Sequence, residues 1–186
     1  MPNMIRLWET VVWGVWQLIM VTGGNESSFT GVYKLAARHD KATDSMTPAM
    51  KFSDNPAKTT NPGIKNVFRL YDENDMALAD ILALDGEIIE AGKEYRYHHP
   101  MVDYRQFTCK AAKVEPLLKK RLEKGQRVSE RLPDSEQLKI SRTTMQSQLE
   151  SFDESYKRIL NPHIYKVSLT EKLMELKKEF IEKNLK

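Results

Sequence analysis

The stretch that most constrains the fold runs from Asn66 to Leu84, NVFRLYDENDMALADILAL. In an extended chain Val67, Arg69 and Tyr71 fall on one face and Phe68 and Leu70 on the other, a period of two that a helix does not share. Asp72-Glu73-Asn74-Asp75 interrupts the pattern and Ala77 to Leu84 resumes it with an apolar run. The pair therefore predicts a hairpin with a four-residue turn, with Gly86 to Glu90 as the alternative partner strand.

Other strands follow from weaker patterns. Residues 32–38, VYKLAAR, predict a strand with Val32, Lys34 and Ala36 opposite Tyr33, Leu35 and Ala37. His39 to Pro48 is polar and turn-rich, Ala49 to Ser53 is a second short strand, and SDNPAKTTNPGIK is an ordered loop. A further strand is expected within Gln106 to Val114. Two helices close the chain. Asp134 caps the first, with Gln137 three residues on, and Leu138, Met145, Leu149, Phe152, Tyr156 and Leu160 form its stripe until Asn161-Pro162 stops it. Ser168 and Glu171 match a capping box for the second, whose stripe is Leu169, Leu173, Leu176 and Phe180. Strands followed by helices without βαβ alternation indicate an α+β arrangement.

At 186 residues, 40% apolar and 30% charged, the chain has the size and composition of one globular core. Cys109 is the sole cysteine, which excludes an internal disulfide and a zinc site built on cysteines. The apolar run Val11 to Val21 is too short for a bilayer, which needs about 20 residues, and lacks a small-residue cleavage site, so buried core is the reading rather than a leader or anchor. Charge is uneven: residues 1–109 carry 11 basic and 14 acidic side chains, and residues 110–186 carry 18 and 12. The excess sits between Lys110 and Arg131, where three glutamates and interleaved leucines favour a solvated connector with a partly buried face over a phosphate-backbone binder.

Candidate chemistry is sparse. Between the apolar runs of Trp13 to Leu35, Gly23-Gly24-Asn25 followed by Ser27 and Ser28 is either a phosphate-cradling loop or a plain turn; no Walker or dinucleotide glycine motif supports the former. His98, His99 and Asp103 are close in sequence, but adjacent histidines on a strand point to opposite faces and no metal-ligand spacing accompanies them. Cys109 reads as a small hydrophobe rather than a nucleophile. Asn25-Glu26-Ser27 formally matches a glycosylation acceptor. Lys51, Lys58 and Lys65, seven apart, either converge on an anionic ligand or serve as solubilising loop charges.

Several strings, in order, carry a resemblance: VTGGNESSFTGVYKLAA, KFSDNPAKTTNPGIKNVFRLYD, ADILALD, HHPM and SYKRILNPHIYKVSLTEKL. Together they closely resemble the C-terminal part of bacterial nicotinate phosphoribosyltransferase over roughly residues 20–186. The most specific are G-V-Y-K-L at 31–35, K-x-T-x-P-G at 58–63, the V-x-R-L-Y-D strand and Y-K-R-x-L-N-P. The resemblance implies an enzyme of NAD salvage that joins nicotinate to the ribose of phosphoribosyl pyrophosphate, with ATP hydrolysis coupled and Mg2+ accompanying. It further implies a cytoplasmic homodimer acting on small-molecule substrates, with neither nucleic acid nor membrane as partner. Positioning and anion stabilisation would carry the catalysis.

The family fold is an irregular α/β barrel beside a smaller β-rich domain. Here that implies residues 1–24 as a divergent start and remnant of the last barrel strand, 25–132 as the β-rich domain and 133–186 as a helical segment. Gly14, Thr22, Gly23 and Gly24 are the expected phosphate- or substrate-binding residues, with Lys34 and Lys58 as weaker candidates and Pro62 and Gly63 as shapers of a structural loop. Trp13-Gly14-Val15 matches the family, whereas Trp16-Gln17 stands where Gly-Thr is typical, and the resemblance implies that a tryptophan side chain there would occupy space meant for phosphate. The family's phosphorylated histidine and most of its substrate-binding residues belong to upstream segments. The expectation is a C-terminal portion of the enzyme, inactive alone, with no catalytic residue or bound cofactor of its own. The alternative is a non-catalytic binding or assembly module derived from the same scaffold.

Overall fold

A computed structural model describes residues 34–184 except 54, 56 and 57. From Leu35 onward these residues belong to one compact unit. The elements are β1 (Ala37–Asp40), β2 (Ser45–Pro48), β3 (Lys65–Tyr71), β4 (Ala77–Leu84), β5 (Glu94–His98), β6 (Gln106–Lys110) and β7 (Lys113–Pro116), then β8 (Leu122–Glu123), β9 (Gln126–Arg127), α1 (Asp134–Glu150), β10 (Val167–Thr170) and α2 (Glu171–Asn184). This is the α+β class expected.

The hairpin expected from Asn66 to Leu84 forms the centre. β3 and β4 pair antiparallel from Lys65 opposite Leu84 to Tyr71 opposite Ala77, with a register shift at Leu70/Tyr71. The connection is one residue longer than expected. Asp72 accepts hydrogen bonds from the backbone N–H groups of Asn74 (2.8 Å) and Met76 (2.9 Å), and Asp75 takes a left-handed φ of 58°, which an aspartate tolerates better than most residues. The alternative partner, residues 86–90, is not a strand.

A six-stranded sheet grows from this pair in the order β6-β5-β10-β4-β3-β7. β10 pairs parallel with β4 and antiparallel with β5, and every other ladder in the sheet is antiparallel. Residues 167–170 thus lie at the middle of the sheet, and residues 167–184 share the core of residues 65–84.

β4 explains why. Its burial alternates strictly, with Ala77, Ala79, Ile81 and Ala83 buried and the residues between them half-buried, because both faces are covered. One face packs with Leu70, Tyr97 and Ala111, flanked by Phe68, Phe107 and Val114. Leu82 and Leu84, of the opposite parity, pack against Leu169, Leu173 and Met174 from β10 and α2. Fully burying one such side chain stabilises by roughly 1.5–3 kcal/mol, so these two clusters dominate the fold energy.

Four local expectations are corrected or refined, the strand expected within 106–114 being present as β6. The strand expected at 32–38 begins only at Ala37; residues 34–36 are irregular and 31–33 lie outside the described residues. The polar segment 39–48 and the strand expected at 49–53 exchange places: β1 and β2 form a hairpin around a turn at Asp44 (φ 50°), and residues 49–53 are irregular. The region 106–114 holds two strands, β6 and part of β7, separated by Ala111-Ala112, with Ala112 N–H bonded to Tyr71 O (2.9 Å). In the connector, residues 118–131 are exposed and carry only the two-residue ladder of β8 and β9.

The helices differ from expectation at their ends. α1 begins at Asp134, with Pro133 before it and no side-chain cap. It stops at Glu150; the chain turns extended at Asp153 (ψ 146°), whose side chain accepts the N–H of Ser155, and Ser151 O accepts the N–H of Ala77 at the start of β4 (2.7 Å). Phe152, Tyr156 and Leu160 therefore lie beyond the helix, and no residue of α1 is buried. Ser168 is a buried strand residue. Thr170 takes the capping role instead, accepting from Leu173 N–H at 3.4 Å while donating to Glu87 Oε1 at 2.8 Å.

Candidate functional site

The densest constellation of polar and aromatic side chains lies over the β3–β4 hairpin. Arg69 and Asp80 are directly opposed in the register, and Arg69 donates Nε to Asp80 Oδ1 (2.7 Å) and Nη2 to Oδ2 (2.9 Å). The side chains are only 12% and 17% exposed, so a bidentate, charge-assisted pair is needed to offset their desolvation. Tyr165 donates its hydroxyl to Asp80 Oδ1 (3.0 Å). The Arg69 guanidinium sits 4.9 Å from the centroid of Phe152, and Phe152 meets Tyr165 edge to face at 4.9 Å. Tyr156 packs edge to face on Tyr165 at 5.4 Å.

Backbone bonds fix this clasp to the sheet at both ends, from Ala77 N–H to Ser151 O and from Asp80 N–H to Lys166 O (2.9 Å). Residues 151–166 are thereby drawn across the hairpin and delivered into β10. The electrostatics follow from the same contacts. The hydrogen bond to Asp80 is the main effect holding the Arg69 pKa above its ordinary value. Burial, and then the Asp80 charge, push the Tyr165 hydroxyl up. These groups satisfy one another: Arg69 is engaged by a carboxylate and Tyr165 holds its proton, so the cluster ties the hairpin to the segment that crosses it.

A second polar cluster lies where β5, the HHPM turn and α2 meet. Lys177 is buried on α2 and donates to Pro100 O (2.5 Å); burial lowers its pKa, against the pull of Asp103. His98 is buried, with neither ring nitrogen hydrogen-bonded and Nε2 3.8 Å from Glu171 Oε1. His99 Nδ1 accepts the backbone N–H groups of Met101 and Val102, each at 3.1 Å, and so shapes the turn. Among the described residues no group of three His, Cys, Asp or Glu side chains is arranged to hold a metal ion. Burial raises the Cys109 pKa against the nearby Lys166 charge, keeping the thiol protonated at neutral pH.

Of the residues expected to bind phosphate or substrate, Gly14, Thr22, Gly23 and Gly24 lie outside the described residues, as do Trp16-Gln17 and Asn25-Glu26-Ser27. Lys34 and Lys58 are exposed. Pro62 is fully buried. Gly63 has φ 81°, and a Cβ added there would lie only 2.9 Å from Leu84 Cδ2, so any other residue would strain the backbone and push Leu84 aside. The three lysines do not converge: Lys51 and Lys58 are exposed, while Lys65 turns its ammonium inward onto the carbonyls of Asn61 (2.8 Å), Pro62 (3.4 Å) and Gly63. The Arg69–Asp80–Tyr165 clasp escapes sequence reasoning because Tyr165 lies 85 residues from Asp80 and still further from Arg69; the one local signal is a charge of each sign on facing strands.

Comparison with known proteins agrees with this architecture. Residues 64–177, from the start of β3 into α2, match the family model described as the nicotinate phosphoribosyltransferase C-terminal domain. The human nicotinate phosphoribosyltransferase is 36% identical over 158 residues, covering 84% of this chain and 27% of the human protein. That of Bacillus subtilis (strain 168) is 29% identical over 161 residues, covering 86% and 31%. The chain thus spans about a quarter to a third of the length of these relatives. The crystal structure of human nicotinic acid phosphoribosyltransferase superimposes with a TM-score of 0.58 at 32% identity, over 66% of this chain and 24% of that one. With sequence and fold in agreement over the β3-to-α2 core, this chain belongs to the nicotinate phosphoribosyltransferase C-terminal domain family.

Proposed function

We propose that the chain serves as the C-terminal domain of a nicotinate phosphoribosyltransferase of NAD salvage, supplying a rigid packing unit and no reacting group from the β3-to-α2 core. The observation that carries this reading is that the family match coincides with a core whose central charged side chains, Arg69 and Asp80, are engaged with each other. In the complete enzyme, nicotinate, phosphoribosyl pyrophosphate and ATP with Mg2+ would react at residues elsewhere. Gly14, Thr22, Gly23 and Gly24 are the proposed contribution of this chain to the phosphate side, with Lys34 and Lys58 at its margin and Trp16-Gln17 narrowing it. The reading extends to a cytoplasmic homodimer.

The test is direct. Purified 186-residue protein is incubated with nicotinate, phosphoribosyl pyrophosphate, ATP and Mg2+, and nicotinate mononucleotide is measured. No product above background is expected from this chain alone, and product formation by it would overturn the reading.

The second reading, an assembly module on the same scaffold, is favoured by the exposure of Leu118, Leu122, Val128, Leu138, Met145 and Leu149 along the connector and α1. It predicts that the protein remains folded and binds another polypeptide without any effect on mononucleotide synthesis. Sedimentation of the chain with the remainder of a relative's enzyme, assayed for both complex and activity, separates the two: recovery of activity on mixing supports the enzyme domain.

A further inference from the structure

The joint between the β1–β2 hairpin and the six-stranded sheet is built from main-chain groups around one half-buried charge. Ala36 O accepts both Ala49 N–H and Gly63 N–H at 2.8 Å, and Ile64 O accepts Asp85 N–H at 2.9 Å. These bonds leave the successive carbonyls of Asn61, Pro62 and Gly63 facing inward, all three on the Lys65 ammonium. Pro62 and Gly63 are buried, and the Asn61 side-chain oxygen of the same loop is buried with no hydrogen-bond partner. Three carbonyl dipoles aimed at one point repel each other unless a cation occupies it, and each would carry the desolvation penalty of an unpaired buried acceptor.

We infer that the Asn61–Gly63 carbonyl cradle is a monovalent-cation site that the chain fills with its own Lys65 ammonium. The donor set selects the ligand class. Neutral backbone carbonyls that replace a hydration shell suit K+ or NH4+, as in carbonyl-lined filters. Mg2+ and Ca2+ prefer carboxylates at roughly 2.0–2.6 Å, and among the described residues no carboxylate bonds Lys65. The cradle does not depend on the tip of the loop, since its carbonyls are aligned by the Gly63 turn and by bonds to Ala36 and Asp85. Lys65 is thus a positioning residue for the K-x-T-x-P-G loop and not an anion receptor. Burial also lowers its pKa, as expected for an ammonium held by dipoles without a counter-ion.

The experiment uses the full chain and three variants, unfolded thermally in KCl, NH4Cl, NaCl or choline chloride at matched ionic strength. Wild type should melt alike in all four salts, because its site is already filled. Lys65→Ala, which empties the cradle, should melt lower in choline chloride and regain roughly 3 °C or more in KCl or NH4Cl, with the gain following cation concentration. Lys65→Met refills the path with an uncharged stem and should show no such gain. A Lys65→Ala protein indifferent to the identity of the salt, or a wild type with the same K+ preference, overturns the inference. If Lys65→Ala does not fold in choline chloride, refolding yield becomes the readout, with Lys65→Ser as the second cradle-emptying variant. Failure of both to fold in KCl and NH4Cl equally overturns it.

Discussion

The β3–β4 hairpin and helix α1 both announce themselves in the sequence by periodic apolar residues, yet one is the core of the molecule and the other contributes nothing to it. Every second residue of β4 is buried and the remainder half-buried, whereas all of α1, including Leu138, Met145 and Leu149, is exposed. Period tells which residues share a face. It does not tell whether the rest of the chain can reach that face. β4 is reached from both sides because residues 151–166 are clasped across it and hand the chain into β10; α1 is the span of chain that precedes this crossing.

The comparison breaks most readily at Ile81, which is wholly buried in β4. Ile81→Ala should lower the unfolding free energy by about 3–4 kcal/mol in denaturant titration, as expected of a cavity in a packed core. Next is the clasp. Asp80→Ala strands the Arg69 guanidinium among Phe152 and Tyr165 and should cost about 3 kcal/mol. The double variant Arg69→Met/Asp80→Ala should lose clearly less than the sum of the two single changes, because the partners no longer leave one another unpaired.

A pH titration sharpens the contrast further. Burial holds the hydroxyls of Tyr97 and Tyr165 above their ordinary value of 10.0 in the folded chain. The folded state therefore keeps protons that the unfolded state releases, and stability should fall as pH rises above about 10. Buried Lys177 and half-buried Lys65 work the other way, since their lowered pKa values make the folded state release protons first. Tyr97→Phe should flatten the alkaline decline relative to wild type, measured as thermal midpoint against pH; an unchanged slope would contradict the role given to Tyr97. Thr170→Val removes the cap of α2 and the bond to Glu87 and should cost about 1 kcal/mol. At the far end of the scale, Leu149→Ala on α1 should change stability by no more than about 0.5 kcal/mol.

What the sequence discloses follows the same division. The β3–β4 hairpin is legible because its signal is local: alternation, an acidic turn, alternation again. β5 carries an equally local signal, with Tyr95 and Tyr97 alternating against Glu94 and Arg96, but the neighbouring His98-His99 pair competes with it by suggesting a ligand set. A false cap hides β10, since Ser168 and Glu171 have capping-box spacing while Thr170 does the capping. Helical spacing continues past Glu150 through Phe152, Tyr156 and Leu160, yet the chain turns extended at Asp153 and Ser151 is tied to distant Ala77. The parallel β10–β4 ladder and the Arg69–Asp80–Tyr165 clasp join residues more than eighty positions apart, and no window of sequence contains both halves. The Lys65 cradle is illegible for a different reason: lysine spacing reports charge, and the direction in which the ammonium points is set by the Gly63 turn.

Native-state amide hydrogen exchange tests the account most directly, because it reads both regions in one experiment. If β3, β4, β10 and α2 form one cooperative core with α1 outside it, the amides of Ile81, Leu82 and Leu169 should exchange together at the slowest, global rate. Those in the middle of α1, from Ile140 to Gln146, should exchange orders of magnitude faster. Protection of α1 equal to that of β4, or early exchange of β10 independent of β4, would contradict it.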